Sequence, residues 1–352
     1  MLRTLAVALA LIGAVALATP RAEAQDTAPQ VTPEITLRLH QMLPPQAAIP
    51  ARALTPWIEK VERESQGRIK VEHYPSMQLG GAPPSLYDQA RDGVVDLIWT
   101  VLGYTPGRFP KSEAVELPFM VTTAEATSRA FHEYVLANAA DEFKDVHPIA
   151  LHTHGPGLLH VKGDGVHRLE DMKGLKIRTP TRVVAGMLSH FGATPVGMPV
   201  PAVPESLSKG VIDGVAIPWE VTLPLKIAEL VGTHTGFAGD HGLYTSGFIF
   251  AMNRDSYERL PADLKQVIDA NSGPEVAALF GRAMDEVDVI GRDTAAKAGN
   301  ALVTLDAAET ARWQAAAEQA AADWIAEMQA KGIDGAALAA DMRRRIEAYS
   351  GK

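Results

Sequence analysis

The 352 residues contain no cysteine. That excludes disulfide staples, thiolate metal ligands and a lipid-anchored precursor, each of which needs a thiol. Long apolar runs are missing beyond the first two dozen residues, so no later segment is built to cross a bilayer. Positive charge is not in excess either. The formal net charge is −9, which disfavours nucleic acid and anionic membrane surfaces as partners and leaves a local cation to draw in any anionic ligand. G-x-S-x-G, H-E-x-x-H and phosphate-loop patterns are absent as well, which removes the motif-bearing hydrolases and nucleotide enzymes.

What is present begins with an export signal. Arg3 supplies the positive start, Leu5 to Ala18 is an unbroken apolar run too short to span a membrane, and Ala22-Glu23-Ala24 is a small-residue cleavage site. These features predict a periplasmic protein cleaved after Ala24, with 1–24 as signal peptide and 25–33 as a flexible leader. A chain of the remaining length divides into two lobes.

The most legible stretch runs from Gly174 to Glu220. Leu175 to Thr179 alternates apolar and polar as a strand does, and Pro180 stops it. Val184, Met187, Leu188 and Phe191 recur at helical spacing before Gly192, a left-handed cap. Thr194 to Met198 reads as a strand, Val203 and Leu207 mark a short helix ended by Gly210, and Gly214 to Pro218 is a third strand. The pattern is half of a doubly wound sheet, whose ligands sit beyond the carboxyl ends of the strands. Arg178 ends the first strand and Trp219-Glu220 follows the third, so a guanidinium, a flat ring and a carboxyl converge on one edge.

An earlier unit repeats the plan. Ile35 to His40 and Arg68 to Tyr74 read as strands, Leu54 to Val61 as a helix, a second helix starts at Pro84, and Asp96 to Val101 is a strand running into Tyr104. Gly93-Val94-Val95-Asp96 echoes Gly210-Val211-Ile212-Asp213 ahead of the two third strands. The expected fold is therefore α/β, a two-lobe clamshell in which each lobe is a mixed sheet flanked by helices. Lobe I takes 34–153 with 243–285, and lobe II takes 154–242 with 286–352, including the C-terminal helices. Between and after these units, Ala124 to Phe143 and Thr222 to Leu230 are expected as helices, Ile149 to Thr153 and Leu243 to Asn253 as crossing strands, 156–165 as loop, and the chain from Glu275 onward as helix.

Candidate ligand contacts are Arg178, Trp219, Glu220 and Tyr104, with His40, Gln41 and Thr100 at strand ends of lobe I. Glu220 has three readings, as an acceptor from a ligand hydroxyl, as a partner for a ligand-associated cation, and as an exposed acidic residue at a helix start. No other cofactor is called for. The rival reading is a periplasmic metal enzyme built on His152-x-His154 and His160, since alternate strand residues share a face. No third ligand stands at motif spacing.

Leu169-Glu170-Asp171-Met172-Lys173-Gly174-Leu175-Lys176-Ile177-Arg178, Gly192-Ala193-Thr194-Pro195-Val196 and Gly210-Val211-Ile212-Asp213-Gly214 are similar to the DctP-type solute-binding proteins of TRAP transporters. Pro75-x-x-Gln78-Leu79-Gly80, Leu117-Pro118-Phe119, and Asn253 followed by Leu260-Pro261 match as well. The resemblance spans nearly the whole mature chain. It implies two α/β lobes with hinge strands and a long helix supporting both. It further implies an organic-acid ligand and delivery to a membrane permease, with Arg178 as the carboxylate anchor. The chain departs from the family's pattern at three positions: Gly157 where many members carry Arg, Ala202 where Glu is usual, and Ile217 where some relatives use Asn. These departures, with Trp219 nearby, favour a monocarboxylate with an apolar or aromatic body over a sialic-acid-like or dicarboxylate ligand.

Overall fold

The computed structural model describes residues 32–351. The signal peptide, its cleavage after Ala24 and most of the 25–33 leader lie outside the described residues. In chain order the elements are β1 (Ile35–Gln41), α1 (Thr55–Glu64), β2 (Ile69–Tyr74), α2 (Leu86–Arg91), β3 (Leu97–Val101), α3 (Ala124–Asn138) and β4 (Val146–Thr153). Then come β5 (Leu158–Val161), β6 (Lys176–Thr179), α4 (Arg182–His190), β7 (Thr194–Gly197), α5 (Val203–Ser208), β8 (Gly214–Ile217) and β9 (Thr233–Phe237). The chain finishes with β10 (Gly247–Asn253), α6 (Arg254–Glu258), α7 (Ala262–Ala270), α8 (Pro274–Lys297), β11 (Ala301–Leu305), α9 (Ala307–Ala330) and α10 (Gly335–Ser350).

Two mixed sheets result, ordered β2-β1-β3-β10-β4 and β11-β9-β5-β8-β6-β7. In the first, β1 runs parallel to β2 and β3, and β10 runs antiparallel to β3 and β4. In the second, β6 is parallel to β7 and β8, as the strand–helix–strand reading of 174–220 requires. Thr181 starts α4 by accepting a hydrogen bond from the Val184 N–H, and Gly192 ends it at φ +86°. The chain passes between sheets at 154–157, at 238–246 and along α8.

Helix α8 is the long support that the family resemblance implies. Its first half packs on α3 and β4, and its second half on the turn after β8. Asp285 accepts from the Ala124 and Glu125 N–H groups at the start of α3 (2.7 and 2.9 Å), and Asp288 accepts from the Glu220 N–H at 2.6 Å. Gly291 makes the second contact close: a Cβ there would lie 2.3 Å from the Trp219 carbonyl oxygen.

Several expectations are corrected. Residues 158–161, 233–237 and 301–305 are strands, where loop, no element and helix were expected. Each is four or five residues long and is defined by its neighbours in the sheet rather than by its own periodicity. Residues 222–230 form separate tight turns at 220–222 and 227–229 rather than a helix. Helix α10, expected with lobe II, packs on α3 of the first lobe, because Met342 and Ile346 join the apolar core there.

Candidate functional site

The strand–turn edges of both sheets meet in a narrow cavity with about 40 Å³ of space open to water. Four aromatic rings form part of its wall, from Trp99, Tyr104, Tyr244 and Phe248, and Met42, Leu43, Val200 and Ile217 add aliphatic surface. Trp99 and Phe248 lie stacked with centroids 5.2 Å apart. Strand alternation decides which β3 residues take part. Trp99 and Val101 face the cavity and Thr100 between them turns away.

Arg178 is the cavity's cation. It is only 2% exposed. Its Nε–H donates to the Met198 carbonyl at 2.9 Å and an Nη1–H to the Ala216 carbonyl at 3.2 Å. Tyr104, from the first lobe, sits against the same guanidinium and accepts the Val200 N–H at 2.9 Å. No carboxylate of the described residues lies within 4.0 Å of Arg178. A buried, fixed guanidinium with two carbonyl partners and no counter-charge is suited to receive an anion, since burying a charge unpaired is costly.

Glu220 also lines the cavity, 4% exposed, and its Oε2 has no hydrogen-bond partner. Burial, reinforced by the nearby Asp288 carboxylate, pushes its carboxyl up to about 8. The same burial raises Asp288 to about 7. Burial of Glu220 rules out the exposed-helix-start reading. Among the described residues, no group of three or more histidine or acidic side chains is placed to hold a metal ion.

Four expected contacts lie elsewhere. The Trp219 ring is turned from the cavity and packs against His160 and His234, with centroids 5.0 and 4.7 Å away. His40 is fully buried, bonded to Gln89 at 2.7 Å and accepting from the Leu79 N–H. Gln41 folds back on Leu43, donating to its carbonyl at 2.8 Å, and so shapes the loop that presents Met42 and Leu43 to the cavity. Thr100 reaches only the Pro83 carbonyl. The histidines of the metal reading also separate. His152 accepts from the Trp99 indole N–H at 2.7 Å, His154 bonds Gly155, and His160 faces His234 at 2.6 Å. Desolvation holds all three well below the ordinary histidine value.

His154, read from the sequence only as a possible metal ligand, lines the cavity, as do Tyr244 and Ser246, which the sequence reading did not assign. Their signal lay in Leu243-Tyr244-Thr245-Ser246, polar and aromatic residues placed just ahead of an apolar strand at a lobe crossing. Gly157, the position where relatives carry Arg, leaves room for the Tyr244 ring: a Cβ there would lie 2.3 Å from it. Ile217, the other cavity departure, contributes apolar wall.

The sequence profile of the bacterial extracellular solute-binding proteins, family 7 (DctP), matches residues 41–328. The chain belongs to this family. Among solved structures, one similar protein is a TRAP solute-binding protein from a marine metagenome (an unidentified microbe) specific for aromatic acid ligands, in complex with 3-hydroxybenzoate. It is 48% identical, covers 90% of this chain and 99% of its own, and has a TM-score of 0.89. A TRAP solute-binding protein from Rhodoferax ferrireducens with copurified benzoate is 47% identical over 90% of this chain and 98% of that one, with a TM-score of 0.88. A third, from Bordetella bronchiseptica, with bound (R)- and (S)-mandelate, is 32% identical over 89% and 99%, with a TM-score of 0.82. All three share the two-lobe architecture described above.

Proposed function

We propose that the protein is the extracytoplasmic receptor of a TRAP transporter, closing over an aromatic monocarboxylate and handing it unchanged to the membrane permease. Residues 1–24 export it to the periplasm. Arg178, buried and without an acidic partner in an aromatic-walled cavity, carries this reading. A guanidinium–carboxylate fork contributes about 1.5–3 kcal/mol net. Micromolar affinity needs about 8 kcal/mol. The remainder comes from enclosing the ring between Trp99, Tyr104, Tyr244 and Phe248, at about 25 cal/mol per Å² of apolar surface.

Among the described residues, Arg178 is the one cation in the cavity wall, and His154 beside it is held neutral, with burial pushing it down to about 4. A second carboxylate would therefore be buried without a counter-charge. The benzoate, hydroxybenzoate and mandelate bound by the relatives above are acids of the class this cavity fits. Isothermal titration of the mature protein with benzoate and with succinate tests the reading. Stoichiometric binding of benzoate alone is expected, and binding of succinate in preference to benzoate would refute it.

A further inference from the structure

Polar atoms remain in the cavity wall after Arg178 is assigned to a carboxylate. Glu220 Oε2 and Ser246 Oγ are both buried without a hydrogen-bond partner, in residues 4% and 1% exposed, and both residues line the cavity. They approach from different lobes: Glu220 follows β8 of the second sheet, and Ser246 precedes β10 of the first. His154, also in the wall, donates its Nδ1–H to the Gly155 carbonyl at 2.6 Å, which leaves its Nε2 an acceptor. Buried polar atoms are rarely left unmatched.

The chemistry of the three groups selects what would match them. Glu220, kept protonated near neutral pH by burial, has a proton to give and a carbonyl oxygen to accept with. Ser246 gives and accepts, and neutral His154 accepts. An ammonium group would meet no ionised carboxylate here, and a second carboxylate would meet no cation. A hydroxyl, donor and acceptor at once and uncharged, suits all three. We propose that Glu220, Ser246 and His154 form a second polar subsite that recognises a hydroxyl on the ligand body. The cargo is then a hydroxylated aromatic monocarboxylate, an inference that rests on the aromatic-monocarboxylate reading above.

Titration calorimetry on the mature protein tests it with two matched pairs. 3-Hydroxybenzoate is compared with 3-methylbenzoate for a ring hydroxyl, and mandelate with 2-phenylpropionate for a side-chain hydroxyl. In at least one pair the hydroxyl form should bind about fivefold or more tightly, because a site built for a hydroxyl rejects the analogue lacking it. Ser246→Ala and Glu220→Ala should each shrink that ratio, whereas Glu220→Gln, which keeps a donor and a carbonyl acceptor, should preserve it. Ratios below about fivefold in both pairs overturn the subsite while leaving the monocarboxylate reading intact, and would mean that water satisfies these atoms. A preference unchanged in both alanine variants also overturns it. If none of the four acids binds, the underlying reading fails and the subsite fails with it. Ser246→Ala removes a single atom, so it answers the question even if the Glu220→Ala variant does not fold.

Discussion

At the scale of single residues, charge burial sets the behaviour of the site. Arg178→Lys keeps the charge and loses the fork, so benzoate affinity should fall by at least about tenfold, because a point charge on a flexible stem cannot hold the planar geometry. Unchanged affinity in calorimetry would remove the bidentate role. Glu220 makes a separate prediction about pH. Burial raises its carboxyl from 4.5 to about 8 in the folded protein, so the folded state holds a proton that the unfolded state releases between those values. The stability this group contributes is whole below about pH 4.5 and is lost as pH rises through about 8. In Glu220→Gln the melting temperature should therefore fall less than in the wild type between about pH 5 and pH 8.5. Parallel curves would show a carboxyl that ionises freely. Buried neutral histidines act on the acid side. His152 is pushed down to about 3 and His154 to about 4, and they remove stability as pH drops from about 6.5 toward those values.

At the scale of elements, helix packing fixes what glycine can be replaced. Gly291→Ala in α8 would stabilise an open helix by about 0.4–1 kcal/mol. Here the added methyl meets the Trp219 carbonyl at 2.3 Å, so the sign should reverse to a loss of about 1–3 kcal/mol, read as a lowered denaturation midpoint. The same scale explains what the sequence made legible. The segment from β6 to β8 was readable because each element carried its own periodicity and its own stop, Pro180, Gly192 or Gly210. Strands β5, β9 and β11 were not, since Leu-Leu-His-Val or Thr-His-Thr-Gly-Phe carries no alternation that outweighs its length. Arg178 was legible as a cation at a strand end. Trp219 was misassigned because adjacency in sequence to Glu220 does not fix which way a ring turns after a strand. His40, Gln41 and Thr100 looked like ligand groups for want of the local backbone and side-chain partners that occupy them.

At the scale of the whole molecule, the lobes meet through contacts with little tolerance. Tyr104 of the first lobe accepts the Val200 N–H of the second, and Arg182 pairs with Glu113 across the same boundary and with Glu327 at 2.6 Å. Gly103 lies against Thr181 so closely that a Cβ would sit 2.3 Å from its Cγ2. Thr181 is not free to rotate away, because its hydroxyl caps α4. Gly103→Ala should therefore prop the lobes apart. Ligand affinity would drop by about tenfold or more while the melting of the ligand-free protein stays near wild type, since only the shut population is penalised. Small-angle scattering that shows the variant compacting with benzoate as the wild type does would contradict this.

A cavity whose floor belongs to one half of the chain and whose roof belongs to the other widens when the halves part. Anything that favours the parted form therefore weakens the grip on the acid without competing for it, by an amount set by its own preference between the two forms.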